Sequence, residues 1–187
     1  MITLLDIGLQ RGKKILLKQA NLSIHDSQRV GIIGANGSGK STLLRLMSGR
    51  LRPSIGSLTW GGIDISDDDE LFRSLIHYVG HQDAIKTALT VEENLSFWVN
   101  INSGTHKKNN VREALDHFSL EKFAKLPAKF LSAGQRKRLN LARICASWAP
   151  LWLLDEPSSS LDVASLNTLK TVMSNHCLLY TSDAADE

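Results

Sequence analysis

Apolar and polar positions change their period along this chain, and each change marks an element. ITLLDIGL and KILLKQANLSI read as an opening pair of strands. RVGIIG, residues 29–34, is a short apolar run bounded by turn residues and reads as a buried strand. KSTLLRLMSG has helical spacing, with Leu43, Leu44, Leu46 and Met47 on its inner side and Gly49 as its stop. SLTWGG predicts a strand closed by a glycine turn, and Ser66 begins SDDDELFRSL, a helix start whose acids at 67–70 form a capped, solvated end. IHYVGHQ, residues 76–82, predicts a strand ending in polar residues. Residues 91–148 turn helical through VEENLSFWVNI, VREALDHF and a helix after LSAGQ, with INSGTHKKNN as an exposed loop. LWLLDEP, residues 151–157, returns to a buried strand that runs into two acids, and DVASLNTLKTVM predicts a last helix. Strand–helix alternation interrupted by a helical block predicts an α/β core with a helical insert.

Composition narrows the class. A chain of 187 residues, 42% hydrophobic, supports one domain with a real core. Its net charge is +3, and the Lys and Arg residues are spread out, so nucleic acid is not an expected partner. Cys145 and Cys177 form neither a disulfide framework nor a zinc spacing, which makes a reducing cytosol the expectation. The N-terminal segment carries an acid inside its only apolar run, unlike a signal peptide. The longest apolar run, ICASWAPLWLL, is too short to span a bilayer and contains Pro150. A soluble chain is expected, one that reaches any membrane through something else.

The chemistry begins at GANGSGKST. Residues 34–41 match G-x-x-x-x-G-K-[ST] between a strand and a helix, the context that a phosphate loop requires. Gly34, Asn36, Gly37, Ser38 and Gly39 would curl backbone N–H groups around a phosphate. Lys40 would reach the β- and γ-phosphates, Ser41 would hold Mg²⁺ and Thr42 would bind an α-phosphate. A phosphate loop needs a metal-holding acid at a neighbouring strand end. Asp155 fits that role, orienting Mg²⁺ or its water, and Glu156 would polarise the attacking water. Strand alternation would point these adjacent side chains in opposite directions. The guanine motif N-K-x-D and the switch motif D-x-x-G of a GTPase do not occur.

LSAGQRKRLNLAR, residues 131–143, is a second anion-binding helix start, with Ser132 a good N-cap. Leu141, Cys145 and Trp148 are expected to bury one side of that helix; Arg136, Lys137, Arg138 and Arg143 are expected to be mostly its solvated side. The order of GANGSGKS, Gln82, LSAGQ, LWLLDEP and SSSLD resembles the ATP-binding subunit of ABC transporters, over nearly the whole chain. That resemblance implies a P-loop NTPase fold: an ABC-type ATPase core with a β-subdomain and an inserted helical subdomain at about 91–148. It also implies a homodimer in which Ser132, Gly134 and Gln135 bind the ATP held by the other copy's phosphate loop. Asp162 would lie at the dimer seam. Gln82 would sense Mg²⁺ and water and link the nucleotide to integral membrane transporter subunits, with the chain peripheral at the cytoplasmic face of the bacterial inner membrane. YVGHQDAIKTALTVEENL resembles one branch of the family, the haem exporters of cytochrome c biogenesis.

Two features depart from the family pattern. The family stacks an aromatic residue on adenine, whereas the matching position here is Arg11, whose guanidinium could stack instead. The family's switch histidine would fall just beyond Glu187, and His176 comes too early to replace it. CLLYTSDAADE resembles translated adapter sequence, so residues 1–176 are expected to form the ATP-binding domain and 177–187 a non-native tail. A chain ending there is expected to bind ATP with weak or absent hydrolysis. His77 and His81, four apart on a strand, invite a haem or metal role, but two hydrogen-bonded histidines are expected. Rival readings are a soluble ABC ATPase acting on nucleic acid or ribosomes and a non-catalytic ATP-binding module. The first usually carries paired ATPase units or a long coiled coil, and the second would not need Lys40, Asp155 and Glu156 intact.

Overall fold

A computed structural model describes residues 1–102 and 110–182. The chain divides into two compact units, Met1–Leu75 with residues from Ser174 onward, and Ile76–Met173. The expected loop INSGTHKKNN falls largely outside the described residues.

The first unit is built on an antiparallel sheet of strand order β2-β1-β3-β4. Strand β1 (Ile2–Arg11) and β2 (Lys14–Ile24) form a hairpin whose turn uses Gly12 at φ +59°. Ile2, Leu4, Ile7 and Leu9 of β1 are buried, a spacing that simple alternation would not allow. A register shift between Leu4 and Ile7 re-phases the strand, with Asp6 at φ +54° and its N–H donated to Asn21 Oδ1. Strand β3 (Ile55–Trp60) joins β4 (Ile63–Asp64) through Gly61 and Gly62, both at positive φ as a tight hairpin turn needs.

Gly56 sits at φ +87°, and a Cβ there would overlap the Leu5 and Asp6 backbone carbonyls. A left-handed φ alone costs a non-glycine residue about 1–3 kcal/mol. Gly56→Ala is therefore expected to lower the melting temperature by about 5 °C or more, measured by differential scanning calorimetry.

Helix α1 (Lys40–Met47) buries Leu44, Leu46 and Met47, leaves Leu43, also expected inside, half-buried, and stops at Gly49, φ +69°, as expected. Helix α2 (Asp69–Ser74) starts two residues later than expected: Asp68, not Ser66, is its cap and accepts from Leu71 N–H. Ser66 Oγ is engaged with Asp64 Oδ1 instead. The larger correction concerns residues 29–34. They form no strand, and Ile33 is 98% exposed. An apolar run of this kind becomes a buried strand only when neighbours complete its ladder, and no described segment pairs with it. Arg29 Nη1 donates to Ser174 Oγ at 3.2 Å.

The second unit contains a parallel pair, β5 (Ile76–Val79) and β6 (Leu151–Leu154), with Ile76 opposite Leu151 and Val79 opposite Leu154. Between them run α3 (Val91–Asn102), α4 (Val111–His117), two short 3-10 turns at Glu121–Phe123 and Ala128–Phe130, and α5 (Ala133–Ala146). Their core includes Val91, Leu95, Leu115, Phe118, Leu139 and Leu141. Helix α6 (Val163–Ser182) runs past the boundary expected at residue 176.

The segment LTVEEN has a local physical role. Thr90 Oγ1 accepts from Glu93 N–H, while Glu93 Oε2 accepts from Thr90 N–H, a reciprocal cap at the start of α3. Hydrogen bonding from the Thr90 backbone N–H, and then from its side chain, holds the Glu93 carboxyl below its ordinary pKa. Buried Asn94 bonds Lys86 N–H, Lys86 O and Thr90 O, pinning residues 86–90 onto α3.

Helix α5 departs from its sequence reading. It packs against α3, α4 and β5, so little of its circumference is free. Leu141 is buried and Cys145 half-buried, but Trp148 is 38% exposed. Arg143, expected in solvent, is buried with its guanidinium 3.5 Å from the centre of the Trp98 ring and donates to Asn140 Oδ1. Lys137 is buried as well. Arg136 and Arg138 are half-buried, and Arg136 lies 3.9 Å from Asp83. The two histidines do not share a strand face, because β5 ends at Val79. His77 is buried with Nε2 2.9 Å from Ser147 O, and His81 lies in the exposed segment beyond.

Candidate nucleotide site

In the first unit the glycine-rich segment makes the start of α1 an open anion site. Gly37 and Gly39 stand at φ +77° and +104°, conformations that let consecutive N–H groups turn inward. Gly39 is the N-cap residue and contributes no side-chain cap, so the first N–H groups of α1 have no side-chain acceptor there. Ser38 N–H closes the loop onto Ala35 O at 3.1 Å. At Gly34 an added Cβ would sit 2.7 Å from Ser38 Oγ, so a side chain there would force the Ser38 hydroxyl to turn away. Lys40 Nζ donates to Gly34 O at 2.6 Å and Ala35 O at 3.1 Å, which holds the ammonium within the loop. Lys14 Nζ adds a bond to Gly37 O from β2. Asn36 is exposed, and Ser41 and Thr42 are half-buried in the first turn of α1. Arg11 ends β1 just before the Gly12 turn.

In the second unit β6 delivers the two acids. Asp155 N–H donates to Val79 O at 2.8 Å, extending the β5–β6 pairing by one bond. Its side chain is 2% exposed, and Oδ2 is buried with no hydrogen-bond partner among the described residues. An unsatisfied buried carboxylate oxygen is costly unless a ligand completes it. A hard cation or its bound water meets that need, so the donor set fits Mg²⁺.

Glu156 is not on the strand. It stands at φ +47° in a left-handed turn, and its side chain is 48% exposed. The acids therefore occupy different environments because the chain turns sharply after Asp155, not because a strand alternates. The turn is held at the Glu156 carbonyl, which accepts from Ser159 N–H at 3.2 Å, Ser159 Oγ at 2.9 Å and Lys137 Nζ at 3.0 Å. Glu156 Oε2 lies 3.5 Å from His81 Nδ1. Gln82 follows in the same exposed segment.

The LSAGQ turn is a capping box. Ser132 Oγ accepts from Gln135 N–H at 3.2 Å, and Ser132 N–H donates to Gln135 Oε1 at 2.7 Å. Ser132 itself is exposed. Gln135 thus has a positional task in closing the box. Asp162 Oδ1 accepts from Ser165 N–H at 2.7 Å and caps α6, and hydrogen bonding from the Ser165 side chain and then its backbone lowers the Asp162 pKa. Sequence reasoning placed Lys137 in solvent and gave it no part in the site, whereas it is buried. Its only signal was the position two residues after the Ser132 cap box closes, on a helix that proved to be buried nearly all round.

Among the described residues no histidine, cysteine and carboxylate cluster could hold a metal ion, and no helix is long and apolar enough to cross a membrane.

A glycine-rich loop opening a helix, paired acids after a buried strand and a capped Ser/Gly turn accompany a match over residues 17–159 to the family described as ABC transporter, which establishes the class. The chain belongs to the ABC transporter family, among its ATP-binding subunits. It is similar to the cytochrome c biogenesis ATP-binding export proteins CcmA of Paramagnetospirillum magneticum, 42% identical over 91% of this chain and 80% of that protein, and of Nitrosococcus oceani, 42% identical over 89% and 76%. A solved dimeric ATP-binding cassette in a post-hydrolysis state with ADP and Pi superposes with a TM-score of 0.78, at 30% identity over 94% of this chain and 84% of that one. The ATP-binding subunit of another ABC transporter, 23% identical, has the same fold at a TM-score of 0.86, over 95% of this chain and 75% of that one.

Proposed function

We propose that this chain is the ATP-hydrolysing subunit of an exporter in c-type cytochrome biogenesis, of the haem-exporter branch. It works as a homodimer bound to integral membrane subunits at the cytoplasmic face of the bacterial inner membrane. The observation that carries this reading is the phosphate loop, with its uncapped helix start and enclosed Lys40, in a chain so similar to named ATP-binding export proteins.

The residues divide the work. Gly34 and residues 36–39 wrap the phosphates with backbone N–H groups, Lys40 neutralises the β- and γ-phosphates, and Thr42 binds the α-phosphate. Ser41, Gln82 and Asp155 hold Mg²⁺ or its water, and the ion would neutralise charge on the β- and γ-phosphate oxygens. Glu156 orients and polarises the attacking water. Ser132 and Gly134 of a second copy close on the γ-phosphate, with Gln135 supporting that turn. Arg11 stacks on the base. Little covalent chemistry is asked of the protein; positioning and charge stabilisation lower the barrier.

Equilibrium binding tests the reading directly. Mg-ATP is expected to bind with a dissociation constant in the micromolar to millimolar range, more weakly without Mg²⁺, and double-stranded DNA is expected not to bind at physiological salt. Salt-sensitive DNA binding without ATP binding would replace the transporter reading with a nucleic-acid one.

A further inference from the structure

Lys137 lies on the α5 face expected to meet solvent, yet it is 8% exposed. A lysine ammonium is strongly hydrated, and burying it is unfavourable unless acceptors replace the lost water. Here its Nζ ends 3.0 Å from the Glu156 carbonyl oxygen. Burial pushes its pKa down, while the charges of Asp155, Glu156 and Asp83 oppose that shift.

The backbone of Glu156 needs such support. Its φ of +47° is a left-handed conformation that a non-glycine residue adopts only at a cost. The local bonds from Ser159 come from the same turn and move with it. Lys137 differs because it reaches in from α5, a helix anchored by Leu139, Leu141 and Ile144 in the core. The carboxylate direction of Glu156 follows from the backbone of this turn. Helix α5 also begins at the Ser132 cap box, so one rigid element carries the phosphate-facing turn and the lysine that holds the acid.

We propose that Lys137 is a positioning residue for ATP hydrolysis: its ammonium, fixed by α5, locks the left-handed turn at Glu156 and so aims that carboxylate at the attacking water. The proposal rests on the reading of Glu156 as the water-orienting acid. Misplacing a reacting group by about 1 Å can cost on the order of 100-fold in rate. Loss of the lysine donor should therefore appear in kcat and leave nucleotide binding alone.

The test is a double-mutant cycle on the ATPase assembled with its membrane subunits, with kcat, KM and ATP affinity measured for each variant. Lys137→Met keeps the stem and removes the donor; kcat is expected to fall about 10- to 100-fold with KM and ATP affinity within about twofold. Lys137→Arg, which retains a charged donor, should recover most of the rate. In a Glu156→Gln background, Lys137→Met should cause little further loss, because both changes act through one carboxylate. Additive losses, an unchanged kcat in Lys137→Met, or equal losses in Lys137→Arg and Lys137→Met would overturn the proposal while Glu156 keeps its role. If Glu156→Gln itself left kcat unchanged, the underlying reading of the acid would fail instead. Should Lys137→Met not fold, Lys137→Leu carries the same cycle, since it too has no donor for the Glu156 carbonyl.

Discussion

Lys40→Ala is expected to weaken ATP binding by at least about 100-fold, equivalent to roughly 2.7 kcal/mol. The lysine supplies a point charge that hydrogen-bonds phosphate oxygens, and charge-assisted bonds of this type contribute about 1.5–3 kcal/mol each. It is also the residue that reaches back to the Gly34 and Ala35 carbonyls, so its removal releases the loop as well as the charge. The effect should be confined to the site. The loop lies at the surface, and no core side chain depends on the ammonium. Titration with a fluorescent ATP analogue measures the loss, and an unchanged melting temperature shows that the fold persists. Affinity within tenfold of the unaltered chain would mean that Lys40 does not face the triphosphate.

How much of this was legible in the sequence depends on whether the signal was local. The phosphate loop was, because its glycines, lysine and helix start act within a few consecutive residues. So were the Gly49 stop, the Gly61–Gly62 turn and Ser132 as a cap, each decided by backbone conformation over one turn. Residues 29–34 were misread because their apolar pattern specifies a ladder strand only through partners, and ladder partners are not encoded in the run itself. Lys137 and Arg143 were misread for the opposite reason. Charge suggests solvent, but α5 is surrounded, and each cation found an internal acceptor or ring. The shift of the α2 start from Ser66 to Asp68 is a competition among adjacent capping residues, settled when Asp64 captured the serine hydroxyl. Trp148, placed inside by helical spacing, follows the end of α5 at Ala146 and no longer obeys its period. The φ of Glu156 was invisible because strand alternation was assumed one residue too far.

In a chain that carries the switch histidine, Glu156→Gln is expected to leave ATP binding intact and to lower turnover by about 100- to 10,000-fold, the range for loss of a positioned general base. Glutamine keeps the size of the side chain and the backbone bonds that Ser159 and Lys137 make to residue 156, since these go to the carbonyl rather than the carboxylate. What changes is the group facing water. With hydrolysis stalled, the ATP-bound dimer should accumulate and be visible as a doubled mass by sedimentation in Mg-ATP, and as monomer when nucleotide is removed. A variant that stays monomeric in saturating Mg-ATP would count against the closed dimer.

The central claim is that each pocket takes its phosphate loop from one copy and its LSAGQ turn from the other. Complementation between two defective chains tests it most directly. One chain carries Lys40→Ala, the other Gly134→Asp, which puts a carboxylate at the turn proposed to face the γ-phosphate, and both carry Glu156→Gln to prevent turnover. Shared pockets predict that the mixture regains ATP-driven association with one nucleotide retained per mixed dimer, while neither chain alone does so, because one pocket then has both an intact Lys40 and an intact Gly134. No nucleotide retention in the mixture, with both chains folded, would contradict the account, since it would mean that loop and turn serve the same copy.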